Sequence, residues 1–191
     1  MNTMFSTAVE NAFGFLEQLH RFKVIKRTHN TVIYATKVVE VSFFYDDQRS
    51  FEVGLGLSLI SRPSQLVFSF EEILQFLNVQ ANEWATGYAA RTQEEIARIL
   101  ARMSEIMTCH ATKLLEGNND DWSRLAEQRR NNCLAYAEAT SLMQAKRTAD
   151  VAWASHDYQK VVSALEGVEA KLGKADVAKL AYARRSLAKI S

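Results

Sequence analysis

The chain opens with apolar residues at the three- and four-residue spacing of one helical face: Phe5, Val9, Ala12, Phe13, Leu16 and Leu19. This predicts an amphipathic helix that Thr3 or Ser6 would cap. Gly14 lowers helix propensity by roughly 1 kcal/mol relative to alanine, but the stripe continues across it. From Phe22 the period changes to two. Phe22, Val24 and Lys26 begin a strand, Thr28-His29-Asn30 is a turn, and residues 31–36 form a second strand. Val39, Val41, Phe43 and Tyr45 then alternate with Val38, Glu40, Ser42 and Phe44. After a hairpin loop at 46–50, Phe51, Val53, Leu55, Leu57 and Leu59 alternate with Glu52, Gly54, Gly56 and Ser58. One face of this meander is apolar and the other mixed, as in an antiparallel sheet covered on one side. Gly54 and Gly56 fall two apart on the mixed face. They would leave it flat enough for something to approach the backbone, or else mark a bulge.

Past residue 60 the pattern becomes helical. Ser61-Arg62-Pro63-Ser64 punctuates, and residues 66–68 have room for one short strand. Ser69 followed by Glu72, and Thr92 followed by Glu95, are capping boxes that open helices. A further turn or two of helix fits 81–88. Ile96, Ile99, Leu100, Met103, Ile106, Met107, His110 and Leu114 share one face up to the stop at Gly117-Asn118-Asn119. From Trp122 to Ser155 there is no glycine or proline, so the segment is one long helix or two, with Trp122, Leu125, Cys133, Leu134, Ala137 and Leu142 as inward candidates. His156-Asp157 is a turn. Residues 158–172 read as a helix closed by Gly173, and 176–190 as the last helix. The fold expected is α+β: an N-terminal helix on an antiparallel meander of about four strands, then a mainly helical C-terminal half. The division expected is 1–78 and 79–191.

Composition is that of a globular chain, 48% hydrophobic and 24% charged over 191 residues, long enough to bury a core without disulfides or metals. Cys109 and Cys133, far apart on helices, fit reduced thiols. The first residues lack the basic start of a signal peptide, and the apolar run near 53–60 is too short for a bilayer. A cytoplasmic protein with no membrane partner is expected. The net charge of +1 points to no polyanion, but the tail is biased: Lys171, Lys174, Lys179, Arg184, Arg185 and Lys189 against Asp176 alone.

Chemistry is sparse. There is no phosphate-binding glycine loop, no nucleophile elbow and no spaced cysteine–histidine set for zinc, so no cofactor or metal is expected. Cys109 and His110 are adjacent on a helix and point about 100° apart, which suits helix packing better than a shared ion. Asp46, Asp47 and Glu52 cluster at a hairpin, as a solvated turn or as an acidic surface for a basic partner. Arg129-Arg130 and the basic tail could meet phosphates, but the tail's cations are spread around the last helix and acids elsewhere offset them. Nucleic acid is therefore not the expected partner. Trp84, Trp122 and Trp153 suit core positions, although tryptophan and tyrosine also dominate partner interfaces.

Two resemblances add to this. Trp153-Ala154-Ser155-His156-Asp157-Tyr158-Gln159-Lys160-Val161-Val162, within 145–168, resembles the turn of a tetratricopeptide-type helical hairpin. It departs from that pattern at His156, where glycine is usual, and at Gly167 inside the second helix. Only one unit is visible, so no repeat array is implied. Residues 5–130 resemble small bacterial immunity-type proteins in Phe13-Gly14-Phe15-Leu16, Tyr45-Asp46-Asp47, Ser69-Phe70-Glu71-Glu72 and Leu114-Leu115-Glu116-Gly117-Asn118. A fold signal without a catalytic one leads to the expectation of a non-enzymatic protein, and the resemblances imply one that holds or blocks a protein partner, such as a toxin or a defence-complex subunit. The surface residues expected to do so are Asp46, Asp47, Glu52, Trp153, Tyr158, Lys179, Arg184 and Arg185. The alternative is a structural subunit that self-associates into a homo-oligomer through its C-terminal helices.

Overall fold

The structure is a computed structural model and describes residues 4–60, 66–79 and 88–189. Thr3, Pro63, Trp84, Ile190 and most of the turn expected at 81–88 lie outside the described residues. The chain divides into two compact units, Met1–Arg129 and Arg130–Ser191.

The first unit is a sheet with helices on one face. Helix α1 (Met4–Phe13) and helix α2 (Phe15–His20) replace the single N-terminal helix expected. They part at Gly14, whose carbonyl accepts from both Glu17 and Gln18 at 3.2 Å. Phe5, Val9, Phe13 and Leu16 are buried as the stripe required, but Leu19, beyond the break, is 68% exposed. The sheet is antiparallel throughout, in the order β1 (Lys23–Arg27), β2 (Thr31–Ala35), β3 (Val39–Tyr45), β4 (Val53–Leu59) and β5 (Phe68–Ser69). The short fifth strand pairs Leu57 with Phe68.

The register of β3 on β4 runs unbroken from Val39↔Leu59 to Tyr45↔Val53, so no bulge occurs at the glycines. Their role lies on the outer face. A Cβ on Gly54 would sit 1.9 Å from the Phe44 ring, and one on Gly56 would sit 2.6 Å from Val67. The space beside the backbone is thus occupied by the chain's own side chains. Inward residues of the same strands, among them Val41, Phe43, Leu55 and Leu57, are buried. Tyr34 is also fully buried. Its hydroxyl has no hydrogen-bond partner, and burial pushes its pKa up to about 12.

Helices α3 (Phe70–Phe76) and α4 (Gln93–His110) begin at Ser69 and Thr92, and each capping box is complete in both directions. Helix α4 packs along α1, and the Ser104 hydroxyl donates to the Ala12 carbonyl at 2.6 Å. Ile96, Leu100, Met103 and Met107 enter the same core as the sheet. The sequence reading divided the chain after residue 78, whereas this shared core carries the compact unit on to Arg129. Cys109 and His110, expected to pack, are exposed, because the buried stripe of α4 leaves them on its far side. Helix α5 (Thr112–Leu115) ends at Gly117, whose φ of +76° closes the turn.

Helix α6 (Asn119–Ala154) is one continuous helix of 36 residues, which resolves the alternative left open above. Its first turns complete the first unit. Trp122 is buried, donates through Nε1 to the Leu114 carbonyl at 2.9 Å and meets the edge of Phe68. Arg129 closes this end. Its guanidinium holds both carboxylate oxygens of Glu72, donates to the Val67 carbonyl at 2.6 Å and lies 4.0 Å from the Phe68 ring centroid. Burial pushes the Glu72 carboxyl up. The hydrogen bond from Arg129, the Ser69 N–H and the Arg129 charge outweigh that and hold it below its ordinary value.

The second unit packs the end of α6 against helix α7 (Tyr158–Leu165), a 3-10 segment (Glu166–Lys171) and helix α8 (Lys174–Ala188). Its core is small: Ala149 and Ala152, Val161 and Leu165, Leu180 and Ala183. The helix expected over 158–172 stops at Leu165, with Gly167 in the 3-10 segment that follows. Cys133 and Leu134, expected inward on α6, are exposed, as is every residue of 130–139.

Candidate functional site

The turn after α6 is built by hydrogen bonds of a helix-closing motif. Asp157 N–H reaches the Ala152 carbonyl at 2.9 Å, and His156 N–H reaches Trp153 at 3.1 Å. This requires the left-handed conformation at His156, where φ is +58°. Histidine is among the side chains that tolerate it. The Asp157 carboxylate then caps α7 by accepting from Lys160 N–H.

This turn brings together three aromatic side chains. Trp153 lies 5.8 Å from Tyr158 and 5.3 Å from Tyr182, and the two tyrosines are 5.6 Å apart, all edge to face. His156 stands against the edge of Tyr158. Trp153 and Tyr158 are half-buried, and Tyr182 is 47% exposed. Partial burial, then the hydrogen bond between the tyrosine hydroxyls, raises the Tyr158 pKa. The cluster is an amphipathic surface, with apolar edges and hydroxyl tips. Tyr182 was absent from the residues chosen from the sequence. It comes from a different helix, and only the packing of α8 on α7 places it there.

The cations chosen in the tail are engaged within the same unit. Lys179 pairs with Asp150, and Arg184 pairs with Glu166 and Glu169. Arg185 donates to the Ala181 carbonyl of its own helix. Lys171 pairs with Glu138, and Lys146 with Asp176. Of the six tail cations, Lys171, Lys179 and Arg184 are thus met by acids of α6 and of the 3-10 segment.

The acidic residues of the first unit do not converge on a site either. The Asp46 carboxylate accepts from the backbone N–H groups of Gln48, Arg49 and Ser50 and from the Ser50 hydroxyl, so it tightens its own loop. These bonds, that of Ser50 N–H foremost, hold its pKa below the ordinary value. Asp47 and Glu52 are exposed, and Glu52 faces Ala89 across an isolated bridge. Among the described residues no group of three or more His, Cys, Asp or Glu is placed to hold a metal ion. No helix among them is long and apolar enough to cross a membrane.

A second feature went unread in the sequence. Residues 20–27 carry His20, Arg21, Lys23, Lys26 and Arg27, a basic run that the strand pattern obscured. Part of it borders a groove of about 670 Å³ beside β1, together with Lys37, Val38, Leu115 and Glu116.

No protein-family model, curated protein or solved structure matches this chain.

Proposed function

We propose that the protein works by binding a partner protein through its helical unit, 130–191. The observation that carries this reading is the aromatic trio Trp153, Tyr158 and Tyr182. Such residues supply most of the energy of partner interfaces when only partly covered in the free protein. Around it, Lys179 and Arg184 are paired with acids of the same unit, which makes them less available to a polyanion and favours protein over nucleic acid. The resemblance of residues 5–130 to immunity-type proteins makes a toxin, or a subunit of a defence complex, the first partner to try. The test is capture with the full tagged chain from its host, followed by calorimetry of the purified partner against wild type and Tyr182→Ala. Loss of about tenfold or more in affinity is expected for a side chain at an interface centre. An affinity equal to wild type in Tyr182→Ala, with its helicity intact, would remove the aromatic cluster from the interface.

One observation favours a second reading, self-association. Tyr136, Met143 and Val151 are 76%, 64% and 66% exposed and recur at intervals of seven and eight along one face of α6. Light scattering separates the two readings. A mass that rises with concentration and falls in Met143→Glu supports self-association, whereas a monomer at every concentration excludes it.

A further inference from the structure

We infer that the groove beside β1 is a second interaction surface, made for an acidic segment of a partner protein that carries an apolar side chain between its carboxylates. It shares no residue with the aromatic cluster and stands independently of it.

The rim is cationic for reasons of local structure. Arg21 closes α2 in the left-handed conformation, with φ of 57°. Lys23 follows two residues later on the edge strand. Lys37 occupies the β2–β3 turn, which the Thr36 hydroxyl fastens by accepting from the N–H groups of Val38 and Val39. Arg21, Lys23 and Lys37 line one groove and are exposed. None of the three forms an ion pair among the described residues. The contrast with the tail is direct. There, Lys179 and Arg184 are each answered by carboxylates, while here, among the described residues, Glu116 is the one acid lining the groove beside Arg21, Lys23 and Lys37.

The floor is aliphatic. Ile25 is 60% exposed and Val38 41% exposed, over buried Leu115. Val38 is held from the far side by the turn at Gly117, where a Cβ would come within 2.7 Å of it. An apolar floor inside a ring of uncancelled cations complements an apolar side chain flanked by carboxylates. Nucleic acid fits less well, because among the described residues no Phe, Tyr or Trp lines the groove to stack a base. Nor does β1 suit an added strand. Its pairing with β2 slips between Val24 and Lys26, and bulges and lysines blunt a sheet edge.

The test uses the full chain and three fluorescein-labelled probes at low and high salt. They are a peptide alternating glutamate with leucine, the same peptide with lysine for glutamate, and a thymidine oligonucleotide. The glutamate peptide should bind at low salt and weaken as salt rises. Lys23→Gln/Lys37→Gln should cost about tenfold in affinity, and Lys174→Gln/Lys189→Gln in the tail should leave it unchanged. Ile25→Ser should weaken the leucine-bearing peptide while sparing an all-glutamate one. All the substituted side chains are exposed, and far-UV circular dichroism verifies the fold. Absence of glutamate-peptide binding at low salt would overturn the inference. So would wild-type affinity in the Lys23/Lys37 variant, or tighter binding of the oligonucleotide with the same dependence on Lys23 and Lys37.

Discussion

Arg129 and Glu72 form the node where the start of α6 is fixed to the sheet unit, and its strength can be worked out from the geometry. The pair is charge-assisted and two-pronged, with side chains 23% and 26% exposed. Exposed pairs contribute under about 1 kcal/mol, and breaking a fully buried one costs about 3–5 kcal/mol. Arg129→Met should therefore cost about 2 kcal/mol, including the guanidinium's contact with the Phe68 ring. Glu72→Gln should cost about 1–2 kcal/mol, since it also weakens the bond to Ser69 N–H that completes the capping box. The double variant should lose less than the sum, with a coupling of about 1–2 kcal/mol.

The sign of the pH dependence follows from the same contacts. The folded-state pKa of Glu72 lies below its ordinary value. Its ionisation therefore contributes fully above the unfolded pKa of about 4.3, and the contribution fades as pH falls through the folded value. The penalty of Arg129→Met should accordingly shrink in acid. Urea unfolding of all four proteins in a Trp153→Phe background reads this out, because Trp122, buried in the first unit, then reports on it. Additivity within about 0.3 kcal/mol, or an Arg129→Met penalty that is the same in acid as at neutral pH, would refute the reasoning.

Tyr34→Phe removes a buried hydroxyl that has no partner, so it should leave stability unchanged or raise it by about 1 kcal/mol; a loss larger than that, by urea midpoint, would show that the hydroxyl is satisfied. Gly117→Ala should destabilise by about 2 kcal/mol, from the left-handed backbone and from collision with Val38, and Val38→Ala should recover part of the loss in the same assay. Asp46→Ala should speed hydrogen exchange at the amides of Gln48, Arg49 and Ser50 while sparing the β3–β4 ladder; unchanged exchange at those amides would contradict the loop contacts.

The parts of the fold legible in the sequence were those decided over short spans. The alternation in 39–45 and 53–59 emerged in register, and both capping boxes formed with both of their bonds. Where periodicity was extended beyond the reach of a packing partner, it misled. Leu19 continues the first stripe in phase but lies exposed in the last turn of α2, one turn beyond buried Leu16. Cys133 and Leu134 lie on a stretch of α6 that buries nothing. The site was legible in fragments. Trp153 and Tyr158 stood out around the turn, but Tyr182 joins them only through the packing of α8, and Lys171, Lys179 and Arg184 turn out to be paired with acids distant in sequence. The basic groove escaped because its cations are scattered among strand residues. Lys37 reaches Arg21 and Lys23 only through the β1–β2–β3 register.

Residues 130–139 of α6, none of them buried, have a consequence for how this chain can vary. Outside Asn132 and Glu138, which have contacts of their own, what such a stretch demands is that the backbone stay helical, a demand that Ala135, Ala137 and Ala139 meet by composition alone. Sequence drift there should be free among good helix formers, and a single glycine should open the segment to proteases before either core is touched. The junction is thus constrained by composition, while the cores on either side are constrained by identity.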